Sequence, residues 1–175
     1  MTQITRKICI VGDFAVGKTS VVERFVNNHF SGKYLTTVGV KIDTKEISLV
    51  EPAVSVKLVL WDVAGAEEFG SREMAYLRGA AGMVFVVDGT RATTLSSVMS
   101  LKEQIQELYG QRSSVLLLNK SDLASQWQID RGKLESLGDE FSHVFRTSAK
   151  TGDEVEAALT QLAELIVTGD IQLTK

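Results

Sequence analysis

An α/β domain on a mostly parallel sheet is predicted by three features of this 175-residue chain. Apolar runs of strand length alternate with segments of helical period, a glycine-containing loop joins the first run to the first helical pattern, and the sole proline lies in a connection too short for a helical crossover. The first strand is predicted at 6–11, where Ile8-Cys9-Ile10-Val11 is an apolar run of strand length. Cys9, the single cysteine, is then a small buried hydrophobe with no partner for an internal disulfide. Next comes a helix whose inner face is Val21, Val22, Phe25 and Val26. Strands at 38–50 and 54–61 are separated by Val50-Glu51-Pro52-Ala53, so they form an antiparallel hairpin and make the sheet mixed. A strand at 82–88 precedes a helical stripe of Leu95, Val98, Leu101, Ile105 and Leu108. Strands at 114–119 and 143–146 follow, and Val155, Ala158, Leu159, Leu162 and Ile166 stripe a last helix. With no repeat, low-complexity tract or linker, residues 1–175 read as one domain.

Composition excludes several classes. Hydrophobic residues at 44% and charged residues at 23% are near the soluble average, which disfavours disorder. No apolar stretch reaches the ~18–20 residues that span a bilayer, and Met1–Lys7 lead into a strand without a signal core. A net charge of −3 with no basic block argues against nucleic acid as a partner. The expected location is cytoplasmic.

In open sheets of this kind ligands sit beyond the carboxyl ends of the strands, so chemistry is sought in the strand-end loops. Gly12-Asp13-Phe14-Ala15-Val16-Gly17-Lys18-Thr19 follows the first strand and opens the first helix, the setting of a phosphate-binding P-loop. Glycines let successive backbone N–H groups face one concavity, and the helix adds the positive end of its dipole. Lys18 would bridge the outer phosphates, and the Thr19 hydroxyl would ligate Mg²⁺. After the third strand, Asp62 in Trp61-Asp62-Val63-Ala64-Gly65 fits a second acid acting on Mg²⁺ through water, and Gly65 offers its N–H to the terminal phosphate.

The loops Asn119-Lys120-Ser121-Asp122 and Thr147-Ser148-Ala149-Lys150-Thr151-Gly152 select the base. The Asp122 carboxylate can accept both the ring N1–H and the exocyclic amino group of guanine, whereas adenine has a ring acceptor there and would leave the carboxylate unpaired. The Ala149 N–H can donate to the guanine carbonyl, and the Lys120 stem can cover a ring face. A solvated turn at Asn119–Asp122 and an N-cap for the last helix at Thr151 are the structural alternatives, and capping is compatible with base binding.

From Lys7 to about Val167 these motifs resemble, in order, those of the Ras superfamily of small GTPases, most closely the Rab group. Phe30-Ser31-Gly32-Lys33-Tyr34-Leu35-Thr36-Thr37-Val38-Gly39 is similar to a Rab first switch, and Tyr76-Leu77-Arg78-Gly79-Ala80 to the segment closing the second. The resemblance implies the P-loop GTPase fold, a six-stranded mixed sheet flanked by about five helices. It also implies a switch that binds Mg²⁺ with GTP or GDP and offers loops at about 30–41 and 64–78 to effector and regulatory proteins. The implied nucleotide contacts are Gly12, Asp13, Phe14, Ala15, Val16, Gly17, Lys18, Thr19, Ser20, Phe30, Tyr34, Thr37, Gly65, Asn119, Lys120, Asp122, Ser148, Ala149 and Lys150. Among them Phe30 packs against the guanine edge, while Lys18, Thr37 and Gly65 serve the terminal phosphoryl group. Thr37, rather than Thr36, joins Thr19 and Asp62 as a metal residue.

Two departures bear on hydrolysis. The family places a glutamine after the glycine of the second switch to orient the attacking water; this chain has Ala66, whose methyl group neither donates nor accepts. By analogy with losing one preorganised donor, the barrier rises by roughly 2.7–4 kcal/mol, on the order of 100- to 1000-fold in rate. Glu67 or Glu68 could approach the water, but a carboxylate is repelled by the terminal phosphate. Phe14 stands where the family usually has a small residue, and its ring crowds the space that an activating protein's arginine enters. No arginine lies between Asn27 and Thr37 to act in its place. The family's terminal prenylated cysteines have no counterpart in Ile171-Gln172-Leu173-Thr174-Lys175, so no membrane anchor is expected in this chain.

Overall fold

The computed structural model describes residues 2–33, 37–65 and 69–173. Six strands form one sheet: β1 (Thr2–Val11), β2 (Val40–Leu49), β3 (Val54–Val63), β4 (Gly82–Asp88), β5 (Ser113–Asn119) and β6 (Val144–Arg146). Their spatial order is β2-β3-β1-β4-β5-β6. Only β2 runs antiparallel to its neighbour, pairing Val40 with Val63 and Leu49 with Val54 across the predicted hairpin. The other four pairings are parallel. The helices are α1 (Lys18–Asn27), α2 (Ser71–Tyr76), α3 (Ala92–Tyr109), α4 (Arg131–Glu140) and α5 (Val155–Leu173), with a 3₁₀ turn over Ser121–Gln126.

Alternation along the central strands builds a core on each face. Ile8, Ile10, Val84, Val86, Val115 and Leu117 face one way, under Val21, Val22 and Phe25 of α1 and Val155, Ala158, Leu159, Leu162 and Ile166 of α5. Cys9, Val11, Met83, Phe85, Val87, Leu116 and Leu118 face the other, under Leu95, Val98, Leu101 and Ile105 of α3 and Leu137 of α4. Apolar runs with no polar alternation therefore mark strands covered on both sides.

Several boundaries differ from the sequence reading. β1 starts at Thr2 rather than 6, because Thr2–Ile4 pair with Val54–Val56 at a partly exposed end where alternation is polar. β2 begins at Val40, leaving Val38 88% exposed, and β3 runs on to Val63, so Asp62 is a strand residue. Leu108 is not core: it is 60% exposed in the last turn of α3, where it lines an open groove with Phe69, Met74 and Tyr109. Val26 is half-buried beside the α1 core.

Candidate functional site

The strand order places the site. After β3 the chain crosses β1 to reach β4, so the connections leaving the carboxyl ends of β1 and β3 diverge and open a crevice there. The P-loop rises from β1 into α1 through backbone that specific residues permit. Gly12 has φ +152, and a Cβ on it would lie 2.4 Å from the Val86 carbonyl oxygen; Gly17 has φ +102, and its Cβ would lie 2.4 Å from Asn119 Nδ2. Between them Ala15 takes the left-handed φ of 62°, a conformation that costs an alanine on the order of 1 kcal/mol and persists only where surrounding contacts hold it. Gly17 caps α1 without a side-chain hydrogen bond, leaving the helix N–H groups for an anion.

Lys18 is 6% exposed, with Nζ donating to the Asp13 carbonyl at 2.8 Å. Burial pushes its pKa down to about 8, while Asp62 and Asp13 pull it back up and Arg91 lowers it further. Gly65 is packed on the loop: a Cβ there would fall 2.6 Å from Phe14 N and 2.8 Å from Lys18 Nζ, so only glycine brings this backbone so close to the cradle.

Three oxygens meet beside Lys18. Thr19 Oγ1 donates to Asp62 Oδ2 at 2.5 Å and shares a 2.6 Å hydrogen bond with Thr37 Oγ1. Since Thr19 has one proton and gives it to Asp62, Thr37 is the donor of the second bond. Asp62 is fully buried, and its Oδ1 has no hydrogen-bond partner. Burial raises its pKa, against the Thr19 hydrogen bond and the Lys18 and Lys41 charges. An orphaned buried carboxylate oxygen beside two hydroxyls is a hard-oxygen set that fits Mg²⁺. Among the described residues no group of three or more His, Cys, Asp or Glu could hold a metal, so an ion here would draw on hydroxyls and bound phosphate.

The other half of the crevice is built from the ends of β5 and β6. Asn119 Nδ2 donates to the Val16 carbonyl at 3.0 Å, while its Oδ1 accepts from Thr147 Oγ1 at 3.2 Å and Ala149 N at 3.3 Å. One buried amide thus ties the loops after β5 and β6 to the P-loop. Lys120, itself at φ +67, donates to the Ala15 carbonyl at 3.0 Å. Ser148 Oγ donates to Asp122 Oδ1 at 2.7 Å and fixes the carboxylate, which is exposed at the mouth of the cavity. Arg24 holds the far side of this loop through the carbonyls of Ala149 and Lys150. Thr151 does not cap α5: the helix starts at Val155, and the Thr151 hydroxyl accepts from Asp153 N within the preceding turn.

Two cavities share this crevice. One, of about 280 Å³, is lined by Phe14, Lys18, Thr19, Thr37 and Gly65; the other, of about 480 Å³, by Phe30, Asn119, Lys120, Asp122, Ala149 and Lys150. Ala15, Gly17 and Ser20 line both, so the two cavities adjoin. Tyr34, Thr36, Ala66, Glu67 and Glu68 lie outside the described residues. The sequence reading missed Asp88 and Arg91. Asp88 ends an otherwise apolar strand and is buried, a signal for a structural carboxylate, whereas nothing in the local sequence distinguishes Arg91.

A doubly wound sheet with a P-loop at its switch point, and a second cavity beside it at the ends of β5 and β6, defines a P-loop nucleotide-binding protein. Residues 7–168 match the model of the Ras family, and the chain belongs to that family. It is 38% identical to Ras-related protein Rab-32A of Dictyostelium discoideum over 95% of this chain and 80% of that protein. With Ras-related protein Rab-7L1 of Rattus norvegicus it shares 36% over 90% of this chain and 80% of the other, and with Rab-27B of Bos taurus 33% over 92% and 79%. It is a Rab-like small GTPase, a nucleotide-binding switch by family. Among the described residues no helix is long and apolar enough to cross a membrane.

Proposed function

We propose that this chain binds Mg²⁺ with GTP or GDP in the paired cavities, hydrolyses GTP slowly, and presents the segments at about 30–41 and 64–78 to effector and regulatory proteins. The observation that carries the reading is the convergence of Lys18 and the Thr19–Asp62–Thr37 oxygens with Asn119, Lys120, Asp122 and Ala149 around a single crevice. Lys18 and the Gly65 N–H would stabilise the terminal phosphoryl group, and Thr19, Thr37 and Asp62 would hold the ion, which would supply charge neutralisation there. A seated guanine covers Asp122 and gives its carboxylate two N–H donors, while Phe30 and the Lys120 stem flank the ring. The Ala149 N–H, weakly engaged at 3.3 Å with Asn119, is free to turn to the guanine carbonyl. Asp122→Asn weakens guanine binding and improves xanthine binding, because an amide donor meets a carbonyl where guanine has its amino group; competition binding with both nucleotides measures it, and an unchanged preference rejects the base assignment.

Slow turnover follows from Ala66, with Phe14, 47% exposed at the rim of the phosphate cavity, acting in the same direction. These two residues also support a second reading, an interaction module locked with GTP and without meaningful hydrolysis. Phosphate release in a single turnover from preloaded GTP, compared with Ala66→Gln, separates the readings. The slow switch has a rate above buffer background that glutamine raises on the order of 100-fold; background release from the unmodified protein leaves the locked module.

A further inference from the structure

The outer side of the P-loop is pinned at three successive carbonyls. Asn119 Nδ2 takes the Val16 oxygen at 3.0 Å, Lys120 Nζ the Ala15 oxygen at 3.0 Å, and Arg91 Nη2 the Phe14 oxygen at 2.7 Å. The first two donors belong to the base loop. Arg91 does not: it stands at the N-cap of α3 and reaches across 77 residues of sequence to the loop.

Its aim is set by Asp88. That buried carboxylate accepts from Arg91 Nε at 3.0 Å and Lys120 Nζ at 2.8 Å through Oδ2, and from the backbone N–H and hydroxyl of Thr90 at 2.9 and 2.7 Å through Oδ1. One carboxylate therefore orients two cations, and these land on the carbonyls of Phe14 and Ala15, the two peptides that flank the Ala15 Cα. Ala15 is the P-loop's non-glycine residue at positive φ, so its conformation depends on contacts of this kind. A trans peptide is planar with C=O and N–H opposed, so fixing the Phe14 carbonyl outward turns the Ala15 N–H toward the cradle, as Lys120 does for the Val16 N–H.

We propose that Arg91, held by Asp88, is a positioning residue for the polyphosphate: it locks the Phe14–Ala15 peptide so that its N–H meets a phosphate beyond the first. The proposal rests on the nucleotide reading above. It separates phosphate recognition, to which Arg91 contributes, from base recognition, to which Lys120 and Asp122 contribute, with Asp88 serving both.

The test is competition binding of GDP, GMP and IDP to the full chain with Mg²⁺, for the unmodified protein, Arg91→Ala, Arg91→Gln and Asp88→Asn. IDP lacks the exocyclic amino group and reports the base end; GMP lacks the outer phosphate and reports the other. Arg91→Ala and Arg91→Gln are expected to lower the GDP-to-GMP affinity ratio about tenfold while leaving the GDP-to-IDP ratio in place. Asp88→Asn is expected to lower both ratios. A loop loosened generally would move both ratios in the Arg91 variants, and a surface ion pair would move neither; either result overturns the proposal. Arg91 is 41% exposed and its glutamine variant keeps most of the stem, so folded protein is available for the comparison. If the unmodified chain shows no preference for GDP over GMP, the nucleotide reading itself fails.

Discussion

Single side chains in this chain are set by what burial removes. Cys9 has no exposed surface, and burial pushes its thiol up to about 12, with Lys7 pulling the other way. The thiolate is the nucleophile, so native protein at pH 8 is expected to react with a disulfide reagent only as fast as it opens, and immediately in denaturant; fast stoichiometric labelling of native protein would contradict this. The pH dependence has a definite sign. The folded state holds the thiol proton to about 12 while the unfolded thiol releases it near its ordinary value of 9.0, so this group's contribution is complete below pH 9 and declines as pH rises from there toward 12. Lys18 is buried although cationic, with Asp62 and Asp13 offsetting part of the cost, and the proposed function gives it an anion to meet. Lys18→Ala is expected to yield protein purified without nucleotide, and stoichiometric retention measured by chromatography of the denatured extract would remove the role assigned to it.

Between neighbouring segments, close approach depends on missing side chains. Gly89, just after β4, lies against the indole of Trp127, where a Cβ would fall 2.1 Å from a ring carbon. Trp127 in turn donates Nε1–H to the Lys120 carbonyl at 2.8 Å and carries the Arg146 guanidinium 4.6 Å above its ring. The indole thus latches the loop after β5 onto the end of β4. Gly89→Ala is expected to cost roughly 1–3 kcal/mol by overpacking, and Trp127→Ala to recover part of that loss in the double variant; additive losses in urea unfolding would show that the two sites do not share this contact. This latch was illegible in the sequence, because a glycine and a tryptophan 38 residues apart match no periodic pattern. The resemblance implied about five helices, but periodicity located only three of them: α4 buries only Leu137 fully, and α2 buries none of its residues, so neither draws an apolar stripe. The central strands and the α5 stripe were legible because they are buried along their length, and Leu108 misled because 3.6-residue spacing continues past the point where α3 leaves the core.

Across the domain, the core and the site have separate origins. Burial on both sheet faces follows from the apolar runs, whereas the crevice gathers segments as distant as Phe14 and Lys150, tied by side-chain hydrogen bonds that span the sequence. The motifs were readable because each is local, a few residues with fixed chemistry at one strand end; their mutual ties, such as Asn119 to Val16 across 103 residues, were not. A site made this way leaves work for its ligand: Asp62 Oδ1 has no partner, Lys18 is buried among few counter-charges, and Asp122 stands exposed at the cavity mouth. Ligand that supplies those partners binds only the folded chain, so stability gains RT ln(1 + [L]/Kd), about 4.1 kcal/mol at a thousandfold excess over Kd. For a domain of this size that is on the order of 8–16 °C in melting temperature. Scanning calorimetry of chelator-stripped protein is therefore expected to show a single transition that rises by this amount with excess GDP and Mg²⁺, rises less with GDP and chelator, and does not move with ADP. Equal shifts with ADP would place the recognition on the phosphates alone and leave Asp122 without its guanine.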